Sequence, residues 1–289
     1  MKGIVLAGGT GSRLWPITKS VSKQLLPIYD KPLIYHPIST LMLAGIREIL
    51  IITTPSSRQQ FESLLQDGSH IGISISYETQ EEPRGIAQAF IIGENFLSNK
   101  PCMLVLGDNI FHGVGLGNEL SRSLPHSGAR VFTYEVNNPS EYGVLEFDSQ
   151  GIPISIEEKP SKPKSNHAVT GLYFFDNNVS TIAKRIKPSS RGELEITSII
   201  DVYLKNEKLS VTKLSRGTAW LDTGNPNTMH DASSYVRIIE ERTGQKIGCP
   251  EEIAFRNSWI SKNDLLSLAS SMGKSSYSEY LRALVESKI

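Results

Sequence analysis

The chain has 289 residues, with 30 Lys and Arg against 30 Asp and Glu and a formal net charge of zero. That length supports a large core, and the balance argues against a general electrostatic hold on nucleic acid or an anionic membrane. Two cysteines, Cys102 and Cys249, neither make a disulfide framework nor fill a zinc site, and read as reduced thiols of a cytoplasmic protein. Only Lys2 and the short run Ile4 to Ala7 precede the first glycines, too little for a signal peptide, and no apolar run approaches a membrane span.

The run Ile4-Val5-Leu6 predicts a strand at about 3–7. It leads into Gly8-Gly9-Thr10-Gly11-Ser12-Arg13-Leu14-Trp15-Pro16, with Lys23 ten residues after Arg13. Glycines let backbone N–H groups close on phosphate oxygens, and Arg13 and Lys23 supply the charge a polyphosphate requires. The spacing fits neither a dinucleotide fingerprint, where the sixth position from Gly9 is Leu14, nor a P-loop, where the sixth from Gly8 is Arg13. Pro16 argues against a long helix after the loop. On the loop alone, a simple chain reversal also fits.

Further strands read at about 48–54, 73–79 and 102–107, with helical patterns near 33–44, 57–66 and 85–97 between them. This alternation predicts a parallel sheet with right-handed crossovers, whose ligands sit beyond the carboxyl ends of the strands. The glycine loop and Asp108 both fall on that edge. From about 129 to 224 strand patterns dominate, at 130–136, 144–147, 154–158, 169–175 and 209–214, interrupted by helical stretches at about 178–186 and 194–206. This half is expected to share one sheet with the first, and 226–289 reads as a mainly helical appendage.

Asp108 in Leu-Gly-Asp-Asn and Asp222 in Trp-Leu-Asp-Thr-Gly each stand where a strand meets a glycine-containing turn. Two distant carboxylates suit magnesium, which takes one or two of them plus phosphate oxygens and water. On spacing alone, both read equally well as turn-formers. Lys159, in Ile-Glu-Glu-Lys-Pro, reads either as half of a surface ion pair or as a cation for an anionic ligand beside Glu158. Arg191 is a second phosphate candidate, or else a solvated cation. Tyr142, Tyr173 and Trp220 are candidates for an aromatic floor, though each singly reads as core, and Gly143 offers a backbone N–H. Gln80 and Gly85 flank a turn that includes Pro83; Gln80 alone reads as a surface polar residue. The histidines at 36, 70, 112, 126, 167 and 230 form no ligand-spaced pair, and neither G-x-S-x-G nor H-E-x-x-H occurs.

The ordered set L-A-G-G-x-G-x-R-L-x-P, S-V-S-K-Q-L-L-P-I-Y-D-K-P, V-L-G-D-N, E-Y-G-V, E-E-K-P, G-E-L-E-I-T and W-L-D-T-G resembles the sugar-phosphate nucleotidyltransferase family, and within it the glucose-1-phosphate thymidylyltransferases. The likeness covers nearly the whole chain. It implies an α/β, Rossmann-like fold with a mostly parallel mixed central sheet flanked by helices and a helical C-terminal appendage. The implied division is a core over 1–225, with a nucleotide half at about 1–128 and a sugar-phosphate half at 129–225, then the appendage at 226–289 for assembly and regulation. It implies conversion of dTTP and glucose 1-phosphate to dTDP-glucose and pyrophosphate, with Mg²⁺ on Asp108 and Asp222, in the dTDP-L-rhamnose route to surface polysaccharide.

By the same resemblance Leu6, Gly8, Gly9, Thr10, Gly11, Arg13, Lys23, Gln24, Gln80, Pro83, Gly85 and Asp108 hold the nucleotide. Tyr142, Gly143, Glu158, Lys159, Val169, Tyr173, Arg191 and Trp220 hold the sugar phosphate. Arg13, Lys23, Asp108, Lys159 and Asp222 form the catalytic set. The resemblance further implies a homotetramer inhibited by dTDP-rhamnose at a second site including Gly113, Arg216, Glu252 and Ile253; His112 stands where relatives often carry Tyr. The alternatives are a UTP-using sugar-1-phosphate uridylyltransferase and a catalytically silent regulatory relative. Retention of both carboxylates and all three cations speaks against the silent one.

Overall fold

The computed structural model describes residues 1–122 and 127–286; His126 lies outside the described residues. The first half builds β1 (Lys2–Ala7), a small hairpin of β2 (Pro27–Ile28) and β3 (Lys31–Pro32), α1 (Tyr35–Leu43), β4 (Glu48–Thr53), α2 (Arg58–Leu65), β5 (Ser74–Thr79), α3 (Gln88–Ile92), α4 (Glu94–Leu97), β6 (Cys102–Leu106), β7 (Asn109–His112) and α5 (Leu116–Arg122). The second builds β8 (Ala129–Glu135), β9 (Gly143–Phe147), β10 (Pro153–Glu158), β11 (His167–Phe175), α6 (Val179–Ala183), α7 (Ile196–Lys205), β12 (Leu209–Lys213) and β13 (Ala219–Asp222). Four helices close the chain: α8 (Pro226–Thr243), α9 (Pro250–Arg256), α10 (Lys262–Ser271) and α11 (Ser276–Glu286).

Strands of both halves lie in one nine-stranded sheet, in the order β10-β9-β11-β6-β1-β4-β5, with β8 joining β11 to β12. Within it β10 and β11 run against the rest. The central strands are apolar on both faces, as parallel strands under two helical layers must be. Val5, Ile49, Ile51 and Val105 face α1 and the C-terminal helices, whereas Ile4, Leu50 and Leu104 face α3, α6 and α7. The appendage has no separate core on its α9–α11 side: Ala254, Leu265, Ala269, Tyr277 and Leu281 join the α1 cluster. Asn225 caps α8 through the backbone N–H groups of residues 227 and 228, and Gly244 ends it at φ +68°. Where α8 ends, Glu240 accepts from Lys31 at 2.7 Å and Lys246 at 2.8 Å, and both lysines pair with Asp30, a buried four-charge knot tying the hairpin to the appendage.

Several predicted elements change. The helix expected over 85–97 starts at Gln88 and breaks at Gly93, which abuts Ile4 and Leu50 so closely that a Cβ there would lie 3.0 Å from the Ala89 carbonyl. The helix expected from 194 starts at Ile196, because Leu194 bonds the Arg84 carbonyl and Glu195 remains extended. The stretch at 178–186 shortens to Val179–Ala183. The hairpin β2–β3, α5 and the antiparallel pair β7–β13 were not anticipated.

Candidate active site

β1 ends at the sheet's carboxyl edge beside β6, with Leu6 opposite Leu106 and the Gly107 N–H on the Leu6 carbonyl. Gly8 has no room for a side chain: a Cβ would lie 2.3 Å from Gln80 Oε1. Gly9 and Thr10 are exposed, and Gly11, at φ +61° with the Thr18 hydroxyl on its carbonyl, opens a single turn over Ser12–Leu14. As Pro16 foretold, no long helix follows; Leu14 is buried and Arg13 stays exposed. A third turn, after one over Ile17–Lys19, delivers Lys23, itself buried, whose ammonium lies 2.8 Å from Asp108 Oδ2. Gln24 is buried beside it and accepts from the Ser22 hydroxyl.

The two aspartates meet through β7–β13. Asp222 is opposite Asn109 in register, and Thr223 clamps the Asp108 carbonyl with its N–H at 3.2 Å and its hydroxyl at 2.9 Å. Burial pushes the Asp108 carboxyl up, but the Lys23 ammonium, helped by hydrogen bonds from Asn109 and the backbone, more than offsets that and holds it below the usual range. Asp222 has no such partner. Burial, then the charge of Asp108, push it up to about 6 against the pull of Lys23 and Arg13. Like charges confined together and one carboxylate left unneutralised describe a place that favours a cation. Among the described residues no cluster of three or more metal-ligating side chains occurs, so substrate oxygens and water would have to complete the shell of any ion held there.

A cavity of about 190 Å³ opens from these carboxylates into the second half. Arg13, Asp108, Tyr142, Gly143, Glu158, Lys159, Val169, Tyr173, Arg191, Trp220 and Asp222 all line it. The β9–β10 pairing sets Glu158 opposite Gly143, and the Lys159 N–H bonds the Tyr142 carbonyl at 2.9 Å with Lys159 at φ 44°, a left-handed conformation uncommon for a side-chain-bearing residue. Glu158 is pushed up by burial and by Glu195. Trp220 packs on Tyr142 with ring centroids 5.1 Å apart. Tyr173 is 3% exposed, its phenol raised by burial, and is as much core as floor. Arg191 is not a free cation: it pairs with Glu193 at 2.7 Å and Glu195 at 3.3 Å, with Glu158 at 3.9 Å.

Sequence reasoning missed Asn109, Glu195 and Thr197. Asn109 donates to Asp108 Oδ1 at 2.9 Å and accepts from the Trp220 indole at 2.6 Å and the Gly171 N–H at 3.2 Å, tying carboxylate to aromatic wall. Its signal was the V-L-G-D-N motif, from which only the aspartate was taken. Of the remaining nucleotide candidates, Gln80 lies against Gly8 and bonds the Gly85 carbonyl. Gln80 is no surface residue: it is 3% exposed, its amide bonded within the turn that holds Pro83 and Gly85.

The residues proposed for a second site are divided. Gly113, Glu252 and Ile253 border a separate cavity of about 640 Å³, together with His112. Arg216 lines a different groove with His167 and Lys213. Both Glu252 oxygens are engaged, by Arg256 at 2.7 Å and Tyr280 at 2.6 Å. His112 bonds the Tyr235 hydroxyl.

Residues 2–237 match the family model described as nucleotidyl transferase. Glucose-1-phosphate thymidylyltransferase of Mycobacterium tuberculosis H37Rv is 54% identical over 286 residues, 99% of each chain. The protein of the same name from Neisseria meningitidis serogroup A is 54% identical over 287 residues, 99% of this chain and all of the relative. Among solved structures, a putative glucose-1-phosphate thymidylyltransferase from Bacillus anthracis, in complex with a sucrose, superposes with a TM-score of 0.76 at 41% identity, covering 82% of this chain and 95% of that one. A UDP-glucose pyrophosphorylase complexed with UDP-glucose gives a TM-score of 0.72 at 26% identity, covering 82% and 98%.

Proposed function

This chain belongs to the nucleotidyl transferase family, and we propose that it transfers a thymidylyl group from dTTP to α-D-glucose 1-phosphate, releasing pyrophosphate and forming dTDP-glucose. The observation that carries this reading is that one cavity is lined both by Arg13, Asp108 and Asp222 and by Gly143, Glu158 and Lys159. The first set suits a triphosphate with its cation, and the second a phosphorylated sugar.

The phosphate oxygen of the sugar attacks the α-phosphorus in line, and pyrophosphate departs. The nucleophile is already an anion, so no side chain has to act as general base. Lys159 holds the sugar phosphate and Glu158 accepts from sugar hydroxyls. Arg13 steadies the departing pyrophosphate, and Lys23 stands where charge gathers on the α-phosphate. Asp108 and Asp222 fit Mg²⁺ by their paired, partly uncompensated charge; when bound, the ion would supply neutralisation of phosphate oxygens. The product would feed dTDP-L-rhamnose synthesis, and a homotetramer with dTDP-rhamnose as inhibitor at the separate cavity belongs to the same proposal. Purified protein incubated with Mg²⁺, glucose 1-phosphate and each nucleoside triphosphate in turn tests the core claim. Pyrophosphate is expected with dTTP above all; its release only with UTP would replace thymidylyl by uridylyl transfer, and none with any would refute the activity.

A further inference from the structure

Gln80 extends β5, its backbone N–H on the Thr53 carbonyl at 2.8 Å. Its side-chain Nε2 donates to the Gly85 carbonyl at 3.3 Å and to Gln88 Oε1 at 2.8 Å. Gln88 Oε1 also accepts from the Arg84 backbone N–H at 3.2 Å. A backbone N–H can only donate, so Gln88 must turn its oxygen inward. A carbonyl can only accept, so Gln80 must offer its NH₂ to both Gly85 and Gln88. Two fixed backbone groups thereby dictate the sense of both amides. Those groups are themselves held by the second half of the chain. The Leu194 N–H bonds the Arg84 carbonyl at 2.7 Å, and Gly85, at φ +104°, lies so close that a Cβ would be 2.4 Å from the Leu194 carbonyl.

With both amide hydrogens used, Gln80 has only Oε1 left. This oxygen has no hydrogen-bond partner among the described residues and faces the Cα of Gly8 across a gap that no other residue type would leave. An acceptor left free beside the glycine loop is placed to take a donor from a ligand.

We propose that Gln88 is a positioning residue that sets base selectivity. By locking the Gln80 carbonyl oxygen outward, it makes the base subsite require an N–H at the centre of the pyrimidine edge. Thymine and uracil carry that hydrogen at N3. Cytosine carries a lone pair there, which would face the Gln80 oxygen and leave two acceptors opposed. The inference rests on the nucleotide-binding reading of Gln80 given above and adds to it a residue outside the base contact.

The test compares kcat/KM for dTTP, dUTP and dCTP, at saturating glucose 1-phosphate and Mg²⁺, in the wild type, Gln88→Leu and Gln88→Glu. Gln88→Leu removes the shorter of the two bonds that fix the Gln80 amide and leaves only the 3.3 Å bond to the Gly85 carbonyl to oppose its rotation. The dTTP:dCTP ratio should fall by about five- to tenfold, the value of one neutral hydrogen bond, mainly through KM for dTTP because the base is remote from the reacting phosphorus. dUTP, with the same N3–H, should track dTTP. Gln88→Glu retains an acceptor for both donors and should restore the ratio. An unchanged ratio in Gln88→Leu, or equal losses for all nucleotides in both variants, would reduce Gln88 to a helix-start residue and overturn the inference. On the wild type, N3-methyl-dTTP should lose at least about 100-fold, since a site built to bond a donor rejects its absence strongly; normal use of it would overturn the inference whatever the variants do. If the wild type uses no thymidine nucleotide, the functional reading and this inference fall together, whereas normal dTTP use with a ratio indifferent to Gln88 removes only the second.

Discussion

Replacing Asp222 by Asn should abolish catalysis and yet make the metal-free protein more stable. In the folded protein the Asp222 carboxyl is raised to about 6 from 3.8, first by burial and then by the charge of Asp108. A raised carboxylate is a stability cost that is absent below pH 3.8, grows as pH rises from 3.8 to 6, and is full above 6, because the unfolded chain ionises more readily than the folded one. At about 1.4 kcal/mol per pH unit the upper bound is about 3 kcal/mol. Asp222 is only partly shielded from water, so about 1–2 kcal/mol is the realistic gain on substitution. Chemical denaturation of both proteins in EDTA between pH 4 and 8 reads it directly. The midpoints should nearly coincide at the acid end and separate in favour of Asp222→Asn above pH 6. Added Mg²⁺ should stabilise the wild type and leave the variant unmoved. Pyrophosphate release should meanwhile fall at least about 100-fold, as expected for loss of an electrostatic catalytic contact. A variant less stable than wild type at pH 7.5 would show that Asp222 is a structural turn-former, and turnover within tenfold of wild type would remove it from the metal site.

Lys159→Ala should raise KM for glucose 1-phosphate by about 10- to 150-fold, the worth of a charged hydrogen bond to phosphate, whereas Arg13→Ala should act on dTTP; steady-state kinetics that invert this would exchange the two pockets. Labelled pyrophosphate should enter dTTP only when sugar phosphate or product is present, and exchange with enzyme, Mg²⁺ and dTTP alone would indicate a covalent intermediate. Glu240→Ala leaves Asp30 as the one carboxylate facing both Lys31 and Lys246, a net buried positive charge, and should cost about 3–5 kcal/mol in denaturation experiments; a loss under about 1 kcal/mol would mean that water reaches the knot.

The parallel half of the fold was readable because its signals are local. Runs such as Ile49-Leu50-Ile51-Ile52 and Met103-Leu104-Val105 are apolar on both faces, and the observed strands match the expected ones to within about a residue at each end. The catalytic candidates were chosen by residue type, and the fold brings Arg13, Asp108, Lys159 and Asp222 to one cavity. What could not be read is how distant segments meet. β7 and β13 are four residues each and show no alternation, and nothing in either says that Asn109 lies opposite Asp222. Arg191 read as a phosphate candidate or a solvated cation; Glu193 and Glu195 stand near it in sequence, but that all three carboxylates, Glu158 included, converge on it is set by the fold.

Gln80 shows the same limit at a single side chain. Polar and placed at a strand end, it carries every mark of a surface residue. It is buried because Gly85 abuts the Leu194 backbone and draws its turn against the second half, so that the two halves share the walls of one site. The unusual ionisation of Asp222 has that origin too. Its carboxylate is raised by burial and then by Asp108, which β13 sets beside it, and Asp108, though burial raises it too, is lowered because a separate turn sets Lys23 upon it. Composition supplies the charges and local pattern supplies the strands. The electrostatics of the site come from register and packing, which is why the residues could be named from sequence while their protonation and partners could not.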